Sequence, residues 1–147
     1  FTESEIRSRY EIIAENYCKI LLIEARTMRD MARRDIVPAV CHYMDDVART
    51  AMDKRSVSQS IPCVTEERLL ERLSGLCDQL YERLEWLDKA IDTAGAFEGD
   101  LIERARYCHD GLLNEMERIR ALVDMLETYT GSGYWPYPTY AQLLYSV

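Results

Sequence analysis

The chain has 147 residues, 26 Asp and Glu against 18 Lys and Arg, a net charge of -8 and a pI near 4.8. That length suits one domain able to bury roughly 70% of the surface its unfolded chain exposes. Acidic residues interrupt every Lys/Arg run, so the composition argues against nucleic acid and against an anionic membrane surface as partners. With only 6 Gly and 4 Pro among abundant Leu, Ile, Met, Ala, Glu and Arg, the composition points to an all-α domain.

The five cysteines, Cys18, Cys41, Cys63, Cys77 and Cys108, are odd in number, scattered and never spaced as C-x-x-C. Such thiols read as free, which suits a reducing compartment, and the expected location is the cytoplasm. The longest uncharged apolar run falls far short of the ~20 residues needed to span a membrane, and the first residues resemble no secretory signal. A start at Phe1 without Met is what the end of a longer protein, or a processed start, would look like.

In chain order, Thr2-x-x-Glu5 is a capping box that opens a long helix. Ile6, Tyr10, Ile13, Tyr17 and Ile20 repeat at intervals of 4, 3, 4 and 3 and are expected to form its buried seam, continued loosely by Met28, Met31 and Ile36. Pro38 lacks the N–H for the helical bond to residue 34, so the helix should kink or restart there. Val40, Met44, Val47 and Ala51 share a face of the segment that follows. Residues 53–64 lose periodicity and collect Ser and Pro, which predicts a loop, and Thr65 is the expected N-cap of the next helix.

The cleanest seam is Leu69, Leu73, Leu76, Leu80, Leu84, Leu87, Ile91 and Ala94. The short connection around residues 95–99 forces an antiparallel return. Asp100-x-x-Glu103 restarts helix along Ile102, Ala105, Leu112, Met116, Ile119, Val123 and Leu126. Beyond Gly131-Ser132-Gly133 the chain becomes extended and aromatic through Tyr134-Trp135-Pro136-Tyr137-Pro138, and Thr139-x-x-Gln142 caps a last short turn.

The expected architecture is a single helical domain, an antiparallel three- or four-helix bundle. It comprises a Pro-kinked first helix (1–52), a long helical hairpin (65–129) and an aromatic tail (131–147). Within the first helix, the consecutive apolar residues Ile20, Leu21, Leu22 and Ile23 cover nearly the whole circumference, because successive residues turn by about 100°. The hairpin can cover one side only. The other side needs further cover, from the remainder of this fold or from a body outside the chain. Ile20, Leu21, Leu22 and Ile23 therefore form the candidate docking surface with Trp135 and Tyr137 of the tail, which either packs along its own bundle or straps a neighbouring domain or subunit.

Chemistry is scarce by comparison. Glu-x-x-His pairs for a carboxylate-bridged metal are missing. His42 with Asp45 and Asp46 is a fragment of a metal site at most, and His109 beside Asp110 reads as a solvated helix position. No Gly-rich phosphate loop or nucleophile elbow is present. The residues therefore nominate no catalytic, cofactor-binding or metal-binding position in this chain.

Several segments carry a resemblance: Ser8-Arg9-Tyr10-Glu11-Ile12, Glu15-Asn16-Tyr17, Ile23-Glu24-Ala25-Arg26-Thr27-Met28 and Met31-Ala32-Arg33-Arg34-Asp35-Ile36-Val37-Pro38-Ala39. With the ending Tyr134-Trp135-Pro136-Tyr137-Pro138-Thr139-Tyr140 and Leu143-Leu144-Tyr145, they resemble the C-terminal region of type III glutamine synthetases. The resemblance implies a parent ligase that joins ammonia to glutamate through γ-glutamyl phosphate, with ATP and Mg²⁺ or Mn²⁺ as cofactors of the parent and none in this part. It also implies a homo-oligomeric parent, in which this module partners the catalytic domain of the same chain and neighbouring subunits. The family's catalytic residues have no counterpart here. The competing reading is a free-standing helical interaction or oligomerisation domain, and a third is a small helical enzyme with a site near His42.

Overall fold

The computed structural model describes residues 1–138 and 140–145. Its elements are α1 (Glu3–Met31), a π-helical turn (Ala32–Ile36), α2 (Val37–Val57), α3 (Val64–Gly95), α4 (Leu101–Tyr107), a second π-helical segment (Cys108–Leu113), α5 (Asn114–Tyr129) and α6 (Tyr140–Tyr145). Among the described residues no strand occurs, and the fold is all-α. Contacts divide the chain into two compact units, Phe1–Asp30 with Glu82–Arg120 and Met31–Tyr81 with Ala121–Val147.

In the first unit the capping box opens α1: the Thr2 N–H donates to Glu5 Oε2 at 3.0 Å and the Glu5 N–H to Thr2 Oγ1 at 3.3 Å. The expected seam of α1 is not its buried face. Ile6, Tyr10, Ile13 and Ile20 are all more than half exposed, while Ala14, Cys18, Leu21, Leu22 and Ala25 are buried. Small side chains let a neighbouring helix approach closely and pack densely, and that packing outweighs the size of the residues on the other seam. The return from α3 is antiparallel: Arg83 pairs with Glu115 at 3.6 Å, and from 83 on to 94, and 115 back to 104, Arg104 Nε donates to the Ala94 carbonyl at 3.0 Å. Leu84, Leu87, Ala94, Cys108, Leu112 and Ile119 are wholly buried there. Each large apolar side chain among them is worth about 1.5–3 kcal/mol relative to exposure.

In the second unit Pro38 does not interrupt the helix. The turn before it widens, and the Val37 N–H reaches back five residues to the Ala32 carbonyl, a local π-bulge that accommodates the missing donor and the ring of Pro38. The loop expected over 53–64 is shorter, because α2 continues to Val57. Lys54 and Arg55 in its last turn oppose the helix dipole and pair with Glu66 and Glu67 at the start of α3. Thr65 is not the cap. The Glu67 N–H bonds to the Cys63 carbonyl at 3.0 Å, and α3 starts at Val64. Val40, Ala51, Leu73, Leu76, Leu80 and Leu126 form the core of this unit. The expected cap Thr139 lies outside the described residues.

Candidate docking surface

Four of the six residues nominated for docking belong to the first unit. Leu21 and Leu22 are 5% and 6% exposed and serve the chain's own core, whereas Ile20 and Ile23 are 56% and 62% exposed. The apolar girdle is thus half covered. Exposed Ile6, Tyr10 and Ile13, with half-buried Tyr17, continue the open side from Ile20 back toward the start of α1. Their 4-3-4-3 spacing is that of a coiled-coil seam, a shape that fits the ridge of another helix. Tyr17 borders the core, where burial, and then the neighbouring Cys108 thiol, raise its phenol above the usual tyrosine range. Beneath it Cys18 and Cys108 are fully buried. Desolvation, followed by a hydrogen bond to Cys18, holds the Cys108 thiol well above the usual cysteine range, which makes it a packing group and not a nucleophile.

The other two nominees, Trp135 and Tyr137, belong to the second unit, where the tail is held by its own chain. A turn closes with the Tyr134 N–H donating to the Gly131 carbonyl at 2.9 Å. A Cβ on Gly131 would stand 3.1 Å from the Tyr134 ring and 3.3 Å from that of Tyr43, so glycine keeps the turn flush against α2. The Tyr134 hydroxyl donates to Asp46 Oδ2 at 2.5 Å and its ring packs against His42 and Tyr43. The Tyr137 hydroxyl donates to Asp35 Oδ2 at 2.6 Å. Burial and then this bond push Tyr137 up to about 12. Tyr137 is therefore an anchor of the tail, and Trp135 beside it is half-buried. Sequence reasoning missed Tyr134, Gly131, Asp35 and Asp46 as tail contacts. The partners lie 88 and 102 residues apart, beyond the reach of any local period. Leu143 and Leu144 of α6 are exposed.

The donor set that a metal near His42 would need is already engaged. Asp46 accepts from Tyr134, Asp45 pairs with Arg49 at 2.9 Å, and the His42 ring lies against Tyr134. Among the described residues no three His, Cys, Asp or Glu side chains come together as a metal site, and no helix is long and apolar enough to cross a membrane. Along α3, Glu67, Glu71, Asp78, Glu82 and Glu85 are exposed, while Glu66 is buried against Lys54 and half-buried Asp88 pairs with Arg29 at 3.4 Å.

Residues 1–55 match the family model described as "Glutamine synthetase C-terminal domain". The full chain is 34% identical to a glutamine synthetase of Butyrivibrio fibrisolvens, covering 100% of this chain and 21% of that protein. Over residues 1–55 the chain is similar to a glutamine synthetase C-terminal domain. A glutamine synthetase of Bacteroides fragilis (strain YCH46) is 23% identical over 99% of this chain and 20% of its own length. The type-3 glutamine synthetase of Dictyostelium discoideum is 23% identical over 96% of this chain and 20% of its own length. The chain spans about a fifth of the length of these relatives. No solved structure matches it. The family match covers α1, the π-turn and nearly all of α2, so the open apolar stripe lies within the matched segment.

Proposed function

We propose that this chain is the non-catalytic C-terminal helical module of a type III glutamine synthetase, and that it docks on the remainder of that enzyme and fixes its assembly. The carrying observation is the stripe of Ile6, Tyr10, Ile13 and Ile20, exposed on α1 at coiled-coil spacing. A soluble surface seldom leaves so many large apolar residues in one row unless something covers them. The occupant is a helix from the part of the enzyme that the relatives possess beyond this chain's span, because a 4-3 seam is complementary to a helix and not to a flat sheet. The parent reaction is the ATP-dependent ligation of ammonia to glutamate, with ATP and Mg²⁺ or Mn²⁺ bound elsewhere in the parent, and the module acts on it through assembly in the cytoplasm. Deleting residues 65–129 from the full-length enzyme removes the hairpin that supports α1. The expected result is a smaller assembly and reduced turnover, and an unchanged oligomer with unchanged turnover would sink the proposal.

A further inference from the structure

Within the second unit, α2 and α3 run antiparallel around the loop at 58–63. Lys54 and Arg55 meet Glu66 and Glu67, and farther along the pair Ser74 Oγ lies 3.5 Å from Met44 Sδ. Stepping three residues onward on both helices, from 44 back to 41 and from 74 on to 77, brings two thiols to the same rim, because residues three apart share a helix face. Cys41 is exposed and Cys77 half-buried, whereas Cys18, Cys63 and Cys108 are buried. We propose that Cys41 and Cys77 form a dithiol which small-molecule disulfides of the glutathione class convert into a reversible bridge between α2 and α3.

The exchange proceeds in two steps. The Cys41 thiolate attacks one sulfur of glutathione disulfide, whose S–S bond breaks, and the first glutathione leaves and takes up a proton. Cys77 then loses its proton to solvent and attacks the Cys41 sulfur of the mixed disulfide. The second glutathione leaves and is protonated in turn. Two protein thiols are oxidised to one disulfide and one glutathione disulfide is reduced to two thiols. Exposure makes Cys41 the entry point. Cys77 is the resolving thiol: burial first, and then the charges of Cys41 and Asp78, raise it to about 11 in the free dithiol. In the mixed disulfide Cys41 carries no charge, but burial and Asp78 still hold Cys77 up, so closure is the slow step. The bridge needs Cα atoms no more than about 7 Å apart, so the helix pair itself decides whether it closes.

The test is incubation of the full-length protein with glutathione disulfide, followed by alkylation of free thiols, trypsin digestion and mass spectrometry. Cys41 and Cys77 fall in separate tryptic peptides, 35–49 and 73–83, each with one cysteine. The expected product is the cross-linked pair, which dithiothreitol dissolves and Cys41→Ser abolishes, together with a higher melting temperature of the oxidised form. A glutathione adduct persisting on Cys41 without the link would overturn the proposal. So would a link between Cys18 and Cys108 in its place, or no reaction. None of these outcomes bears on the docking role of α1, so the two readings fail independently.

Discussion

Substituting Ile13→Asp and Ile20→Asp together separates the open seam of α1 from its core. These side chains are 67% and 56% exposed. Fully burying an isoleucine is worth about 1.5–3 kcal/mol, so a partner that covers the remaining area gains about 1–2 kcal/mol at each site. Losing both costs about 2–4 kcal/mol of docking free energy, before the added cost of pressing two carboxylates into an apolar contact. That is a drop of roughly 30- to 1,000-fold in the docking equilibrium. The module's own stability should move by no more than about 0.5 kcal/mol, as for other exposed positions. Two measurements on the full-length enzyme read the outcome: sedimentation velocity for the size of the assembly and hydrogen exchange for protection over residues 6–23. The double variant should lose assembly mass or gain exchange across that segment while the cores of both units stay protected. Unchanged sedimentation together with unchanged exchange would refute the reasoning.

Other positions give sharper physical readouts. Gly75 lies inside α3 with nothing within 4 Å of an added Cβ, so Gly75→Ala should stabilise the protein by about 0.5–1 kcal/mol in chemical denaturation. The Lys54 bond holds the Glu66 carboxyl below its ordinary 4.5, and the Glu66 bond holds the Lys54 ammonium above its ordinary 10.5. The pair's contribution is therefore present between those two values. It is lost as pH falls through the lowered carboxyl value or rises through the raised ammonium value. Lys54→Met should accordingly destabilise most at neutral pH, and its deficit in urea melts should shrink in strong acid. Tyr137, pushed up to about 12 by burial and then by Asp35, favours the folded state below pH 10 and loses that contribution as pH rises through about 12. Ultraviolet titration of Asp35→Asn should show the Tyr137 phenolate forming earlier than in the parent chain, but still later than a free tyrosine, because burial is the larger cause.

The hairpin was legible in the sequence because its leucine seam is the face that packs. From Leu73 to Ala94 every expected seam position of α3 is buried, and only Leu69 at its edge is half-exposed. In the return arm Leu112, Met116, Ile119 and Leu126 follow the same rule, whereas Ile102, expected on that seam, is 46% exposed at the start of α4, and Ala105 and Val123 are half-buried. On α1 two seams run side by side, and periodicity favours the one with the bigger side chains, which is not the one that packs. Alanine and cysteine carry little hydrophobic weight, yet they allow closer helix contact, and it is their face that packs. The docking candidates divided for a related reason. Residues 20–23 wrap the helix, so some of them had to face inward whichever side packed. Trp135 and Tyr137 could not be assigned from sequence, because the hydroxyl that fixes the tail finds its acceptor across most of the chain's length.

The small-residue face of α1 also inverts the usual map of mutational tolerance. In a scan of the module by itself, the conspicuous isoleucines at 6, 13 and 20 would accept almost anything, while the inconspicuous Ala14, Cys18 and Ala25 would accept almost nothing larger. Apart from Leu21 and Leu22, the bulk of α1 is spent on a surface its own fold does not need, and the rest of what its fold needs is the narrow place where bulk is missing.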